Sequence, residues 1–104
     1  MFLAIDIGNT NTVFAIYQNF KSKFELLKSF RISSNSNRTS DEYSFIINQC
    51  FEISNYNINK LRGVAIASVV PEVLNNLENY FKNNLKIPLF KVEADKLNIE
   101  IDID

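Results

Sequence analysis

Residues 4–14, AIDIGNTNTVF, place one carboxylate and a small polar turn between two apolar runs at the start of the chain. Asp6 ends an apolar strand, Gly8 allows a ligand to approach the backbone closely, and residues 9–12 supply short amide and hydroxyl groups. Consecutive N–H groups in such a turn form a concave anion site, and a neighbouring carboxylate can hold Mg²⁺ directly or through water. Ordinary hairpin turns need the same residue types. The stretch therefore indicates either a plain hairpin turn or one that binds nucleotide phosphates.

The composition is that of one ordinary globular domain. The chain has 104 residues, 46% of them hydrophobic and 22% charged, with a net charge of −1. Because no Lys/Arg-rich block is present, the sequence does not favour a nucleic-acid partner. The chain contains no histidine, which excludes Ser-His-Asp and His-metal mechanisms. A single cysteine, Cys50, and the lack of a recognisable signal or membrane segment predict a cytoplasmic protein.

The first third of the chain has the pattern of three β-strands. Residues 2–7 and 12–17 are rich in β-branched and aromatic residues, and a half-buried third strand is predicted from residue 24 to residue 32. Every second residue of this third strand, counted from Phe24, is apolar, with Lys28 as the exception. The apolar residues are Phe24, Leu26, Phe30 and Ile32. Short polar connections predict that the three strands form an antiparallel meander.

The remainder alternates between helical and strand patterns. Thr39 precedes Glu42 by three positions, a capping-box signature for a helix that ends within residues 55–59. The apolar face predicted for this helix comprises Tyr43, Ile46, Ile47, Cys50 and Phe51. Residues 63–70 predict a central strand covered on both sides, and residues 87–92 predict a fifth strand.

A second helix is predicted to begin at Pro71, since proline suits the first helical position. Its predicted apolar face comprises Val73, Leu74, Leu77, Tyr80, Phe81 and Leu85. The acidic, alternating tail at residues 93–104 has no evident pairing partner in the sequence.

The resulting order, β-β-β-α-β-α-β, predicts an α/β, RNase H-like lobe built on a mixed five-stranded sheet. Two functional classes share this layout. A metal-dependent nuclease would need several carboxylates converging on a metal pair, and Asp6, Asp41 and Glu42 are candidates. Residues 65–69, where a further acid would be needed, contain none. The second class, the actin-like ATPases and sugar kinases, carries an Asp-x-Gly-x-Thr turn between the first two strands, as residues 6–10 do.

Within this second class, the chain resembles the N-terminal half of a type III pantothenate kinase. Three segments carry the resemblance: LAIDIGNTNTVF at residues 3–14, FRI at 30–32 followed by RTSDEY at 38–43, and IASVVP at 66–71. The first segment is specific to the family in its GNTNT form, and the order and spacing of the other two reinforce it.

The resemblance implies ATP-dependent phosphorylation of pantothenate, the first step of coenzyme A synthesis. It also implies Mg²⁺, a monovalent cation such as K⁺ or NH₄⁺, and a homodimer in the full-length protein. Asp6 would help to place the metal. The residues that match the family's ATP-phosphate turn are Asp6, Ile7, Gly8, Asn9, Thr10, Asn11, Thr12 and Val13.

The sequence departs from the family in two respects. Family members are much longer, and their second half supplies a Gly-x-Asp-Arg motif with the general base, a second phosphate turn and the adenosine pocket. In addition, residues 92–96, VEADK, replace a glycine-rich turn that borders the pantothenate site. We therefore expect residues 1–104 to be the N-terminal phosphate-binding lobe, with no catalytic residue and without the second lobe. The alternative is a non-catalytic half-kinase that acts as a nucleotide-binding or interaction module.

Overall fold

The computed structural model describes residues 1–68 and 70–92, so the predicted tail at residues 93–104 lies outside the described residues. Strands and α-helices follow one another in the predicted order, with a 3₁₀ turn at Ile58–Lys60 and a π-helical turn at Phe81–Leu85 added. The elements are β1 (Phe2–Ile7), β2 (Asn11–Phe20), β3 (Lys23–Ser33), α1 (Ser40–Ser54), β4 (Gly63–Ser68), α2 (Pro71–Tyr80) and β5 (Leu89–Lys91).

The five strands form one mixed sheet in the order β3-β2-β1-β4-β5. The meander β1-β2-β3 is antiparallel, because short turns connect its strands. The pairs β1-β4 and β4-β5 are parallel, because helical crossovers connect successive strands. The predicted mixed sheet is therefore confirmed. The carboxyl ends of β1 and β4 meet at one edge of the sheet, where the turn at residues 8–11 also lies.

Both helices pack on one face of the sheet and share a single hydrophobic core. Alternate residues of β1, β2 and β4 supply the sheet side of this core, namely Leu3, Ile5, Ile7, Phe14, Ile16, Val64 and Ile66. β4 is a central strand as predicted, between β1 and β5; the described helices pack on one of its faces, and Ala67 on the other face is also fully buried. Cys50 of α1 is buried in this core, and burial raises the pKa of its thiol to about 11, so the thiolate is disfavoured at neutral pH.

The regular alternation predicted for β3 is wrong in the first half of the strand. Lys28 pairs with Ile16, but Leu26 pairs with the next residue of β2, Tyr17, so Leu27 is an extra, bulged residue. The bulge turns Phe24 and Leu26 to the face opposite the helices, where the Phe24 ring meets Phe2 edge-on. Phe24 is 65% exposed there.

The start of α1 is the predicted capping box. The Glu42 N–H donates to Thr39 Oγ1 at 3.2 Å, and the Thr39 N–H donates to Glu42 Oε1 at 2.8 Å. The helix ends at Asn55, a left-handed residue with φ of 64°. The sequence therefore predicts both ends of this helix correctly.

We expect Thr39→Ala to lower the free energy of unfolding by about 1 kcal/mol, because one N–H of the first turn loses its acceptor. Urea unfolding followed by circular dichroism would measure the change. Thr39→Ser is the matched control, since it keeps the hydroxyl. An equal loss in the two variants would show that the methyl group, rather than the cap, stabilises the helix.

The second helix begins at Pro71 as predicted, but its α-helical part ends at Tyr80 rather than near Leu85. The following turn is π-helical and closes with the Lys86 N–H donating to the Phe81 carbonyl at 2.8 Å. Asn83 and Asn84 favour helices weakly, and Lys86 is left-handed. Within residues 1–68 and 70–92, no helix is long and apolar enough to cross a membrane.

Candidate functional site

The turn at residues 8–11 joins β1 to β2 at the edge of the sheet. The Gly8 N–H closes the turn by donating to the Asn11 carbonyl at 3.0 Å. A Cβ atom at Gly8 would lie 3.2 Å from that same oxygen, a tight contact. Among the described residues no glycine has a positive φ. Glycine therefore serves here to let the two strands approach, and not to adopt a left-handed conformation.

The loop that follows β3 is bonded to this turn through Ser34. Ser34 Oγ donates to the Gly8 carbonyl at 2.7 Å and lies 2.9 Å from Thr12 Oγ1. The Ser34 N–H donates to the Thr10 carbonyl at 2.8 Å. Thr12 is fully buried, although it is polar. The turn that the sequence suggested as a phosphate site is thus held by hydrogen bonds from Ser34, a residue that the sequence did not indicate.

The structure brings the candidate phosphate-site residues together, but exposes only some of their side chains. The side chains of Asn9, Thr10 and Asn11 are exposed, and Asp6 and Gly8 are half-buried. The other three candidates are buried, namely Ile7, Thr12 and Val13. Any contact from these three to a ligand would therefore involve their backbone groups. Within the described part of the chain, the N–H groups of Asn9 and Thr10 donate no hydrogen bond, so both can serve an anion.

Asp6 lies on the sheet face opposite the helices. The register aligns it with Val13 of β2 and Ala67 of β4, and Val13 in turn is aligned with Arg31 of β3. No set of three His, Cys, Asp or Glu side chains within residues 1–68 and 70–92 is grouped to hold a metal ion. Mg²⁺ is commonly held by one or two carboxylates, phosphate oxygens and water, so a single carboxylate would suffice if the turn bound phosphates.

Two polar residues of the segments that carry the family resemblance, Arg38 and Ser68, have hydrogen-bond partners within the fold. Arg38 Nη1 donates to the Ser33 carbonyl at 2.6 Å, which fixes the loop before α1. Ser68 Oγ accepts from the Val70 N–H at 2.9 Å, in the bend that precedes α2. Ser68 is thus the last residue of β4, three positions before α2 begins at Pro71.

Tyr43 presents its buried hydroxyl near Arg38. Within the described residues this oxygen has no hydrogen-bond partner of good geometry. Burial raises the pKa of Tyr43, and the positive charge of Arg38 opposes part of that rise. The hydroxyl is therefore protonated at neutral pH. Sequence reasoning placed Tyr43 only on the apolar face of a helix and did not point to this hydroxyl.

The sheet order is that of the actin-like ATPase fold. YeaZ from Pseudomonas aeruginosa is similar, with a TM-score of 0.57 and 10% identity over 88% of this chain and 44% of that chain. The Aquifex aeolicus member of the Ppx/GppA family gives a TM-score of 0.45 and 11% identity over 88% and 34%. The chain thus spans less than half of either structure. Residues 2–104 match the model of the type III pantothenate kinase family, and the chain belongs to that family.

Proposed function

We propose that the chain is the N-terminal, phosphate-binding lobe of a kinase that transfers the ATP γ-phosphate to pantothenate in coenzyme A synthesis. The match of residues 2–104 to the family carries this proposal. The turn at residues 8–11 supports it, because two N–H groups that donate to no acceptor within residues 1–68 and 70–92 lie beside the strand that bears Asp6.

The chemistry expected of this lobe is positioning and charge stabilisation. Phosphoryl transfer depends mainly on alignment of the reacting groups and neutralisation of phosphate charge. The N–H groups of Asn9 and Thr10 would bind phosphate oxygens, and Asp6 would hold Mg²⁺. When bound, Mg²⁺ neutralises part of the phosphate charge. No residue of this chain is proposed to take the proton of the pantothenate hydroxyl.

The remaining elements of the proposal depend on family membership. They are a cytoplasmic homodimer, a monovalent cation (K⁺ or NH₄⁺), and a second lobe that supplies the general base and the adenosine pocket. Within the described residues we identify no ligand set for the monovalent cation. The pantothenate side of the site would be bordered by the segment that begins at Val92.

A comparison of the 104-residue chain with the full-length protein encoded by the same reading frame tests this proposal. Each would be assayed with ATP, Mg²⁺, K⁺ and pantothenate. We expect turnover from the full-length protein and none from the chain alone, because one lobe cannot hold the hydroxyl in line with the γ-phosphate.

Two outcomes would contradict this expectation. Turnover by the 104-residue chain would show that a second lobe is unnecessary. A full-length protein that binds ATP but does not phosphorylate pantothenate would refute the assigned substrate. A stop codon directly after residue 104 would instead favour the non-catalytic half-kinase module.

A further inference from the structure

We propose that Ser34 is a positioning residue for the phosphate turn, which it holds in the geometry that presents its N–H groups to ATP. This inference rests on the proposed function. Ser34 bonds to three positions of the turn region, the carbonyls of Gly8 and Thr10 and the hydroxyl of Thr12. Ser34 lies in the loop after β3, and it is 26 residues from Gly8 and 22 residues from Thr12 along the chain.

The number of hydroxyl protons decides which residue donates in the hydrogen bond between Thr12 and Ser34. A serine hydroxyl has one proton to donate. Because Ser34 Oγ donates to the Gly8 carbonyl at 2.7 Å, the hydrogen bond of 2.9 Å to Thr12 must use the proton of Thr12. The Thr12 hydroxyl therefore donates to Ser34 Oγ, and the Ser34 hydroxyl donates to the Gly8 carbonyl. Each proton has an acceptor, so the fully buried Thr12 hydroxyl is satisfied.

The same hydrogen bonds fix the orientation of two peptide groups. In a trans peptide the carbonyl of one residue and the N–H of the next point in opposite directions. The carbonyls of Gly8 and Thr10 point towards Ser34, so the N–H groups of Asn9 and Asn11 point away from it. The Asn9 N–H is one of the two turn donors with no acceptor among the residues that the structure describes. Ser34 thus sets the direction of a donor that it does not touch.

Loss of the Ser34 hydroxyl would act mainly on the turn. The Gly8 carbonyl would lose its donor, and the peptide group that it shares with Asn9 would be free to rotate. Thr12 would keep its buried position but lose the acceptor of its proton. The Ser34 N–H bond to Thr10 would remain, so the pairing of β2 with β3 has no reason to break.

Steady-state kinetics of the full-length protein provide the test, with Ser34→Ala, Ser34→Thr and Ser36→Ala compared with the wild type. Ser36 is an exposed serine of the same loop with no described side-chain hydrogen bond, so Ser36→Ala is the matched control. We expect Ser34→Ala to lower kcat/KM for ATP about tenfold, the effect of losing a hydrogen-bond network worth about 1.4 kcal/mol. KM for pantothenate should stay unchanged, and Ser34→Thr should restore most of the loss.

The pattern across these variants separates positioning from general stability. The inference is overturned if kcat/KM of Ser34→Ala for ATP stays within twofold of wild type. It is also overturned if both substrates are affected in step with a fall in Tm, or if Ser34→Thr fails as badly as Ser34→Ala at an unchanged Tm. Wild-type turnover is measured in the same series. Its absence would refute the proposed function, whereas its presence with a normal Ser34→Ala would refute only the role of Ser34.

Discussion

Replacement of Asp6 by asparagine in the full-length kinase is expected to lower kcat by a factor of about 10²–10³, with little effect on folding. The substitution preserves side-chain volume and much of the hydrogen-bonding capacity, but removes the charge that, in the proposed function, would be directed at Mg²⁺. Loss of one preorganised electrostatic group of this kind typically raises the barrier by about 3–4 kcal/mol. Asp6 lies near the end of β1, directly before the turn that would hold the phosphates.

The informative measurement is kcat and KM for ATP across a Mg²⁺ titration, with Tm recorded for each protein. Glu52→Gln is a suitable control, because it removes one negative charge from an exposed position near the end of α1, far along the chain from the turn. We expect the control to keep wild-type kinetics. A near-normal kcat for Asp6→Asn, or a loss of activity explained entirely by unfolding, would make Asp6 a structural residue of the turn.

The second large effect is expected at Phe14, where replacement by alanine should reduce the free energy of unfolding by about 3–5 kcal/mol. Phe14 is fully buried in the middle of the sheet, between Ile5 of β1 and Phe30 of β3, and it packs beneath the helices. The alanine would leave a cavity that the surrounding strands cannot close without breaking their register.

Phe45→Ala is the matched control for this prediction, since Phe45 is 67% exposed on α1. Urea unfolding of both variants at fixed protein concentration would give the two changes directly. We expect the exposed substitution to change stability by less than about 0.5 kcal/mol. Similar losses in the two variants would mean that the side of the sheet facing the helices is not the dominant core.

Local signals predicted those parts of the fold that depend on neighbouring residues. The Thr39–Glu42 pair identified the start of α1, and Pro71 identified the start of α2, because each acts within a single helical turn. The turn at residues 8–11 was likewise predicted, since Gly8 permits the close approach to the Asn11 carbonyl within the turn itself.

Features that arise from pairing between distant segments were not predictable in this way. The bulge at Leu27 exists only relative to β2, so a strict period of two in the sequence of β3 assigned Phe24 and Leu26 to the wrong face. The role of Ser34 depends on the register that places it behind the turn. A serine in a polar loop gives no sign of this before the strands are aligned.

The hydrogen bonds of Ser34 also bear on the order of events during folding. They connect positions 22 and 26 residues apart, so the turn cannot reach its final form from residues 4–14 alone. During synthesis, residues 4–14 are added to the chain before Ser34, the serine that bonds to the turn. We therefore expect the turn to reach its final form only after the third strand has docked. A mutation that delays this docking would then delay formation of the turn without altering any residue in it.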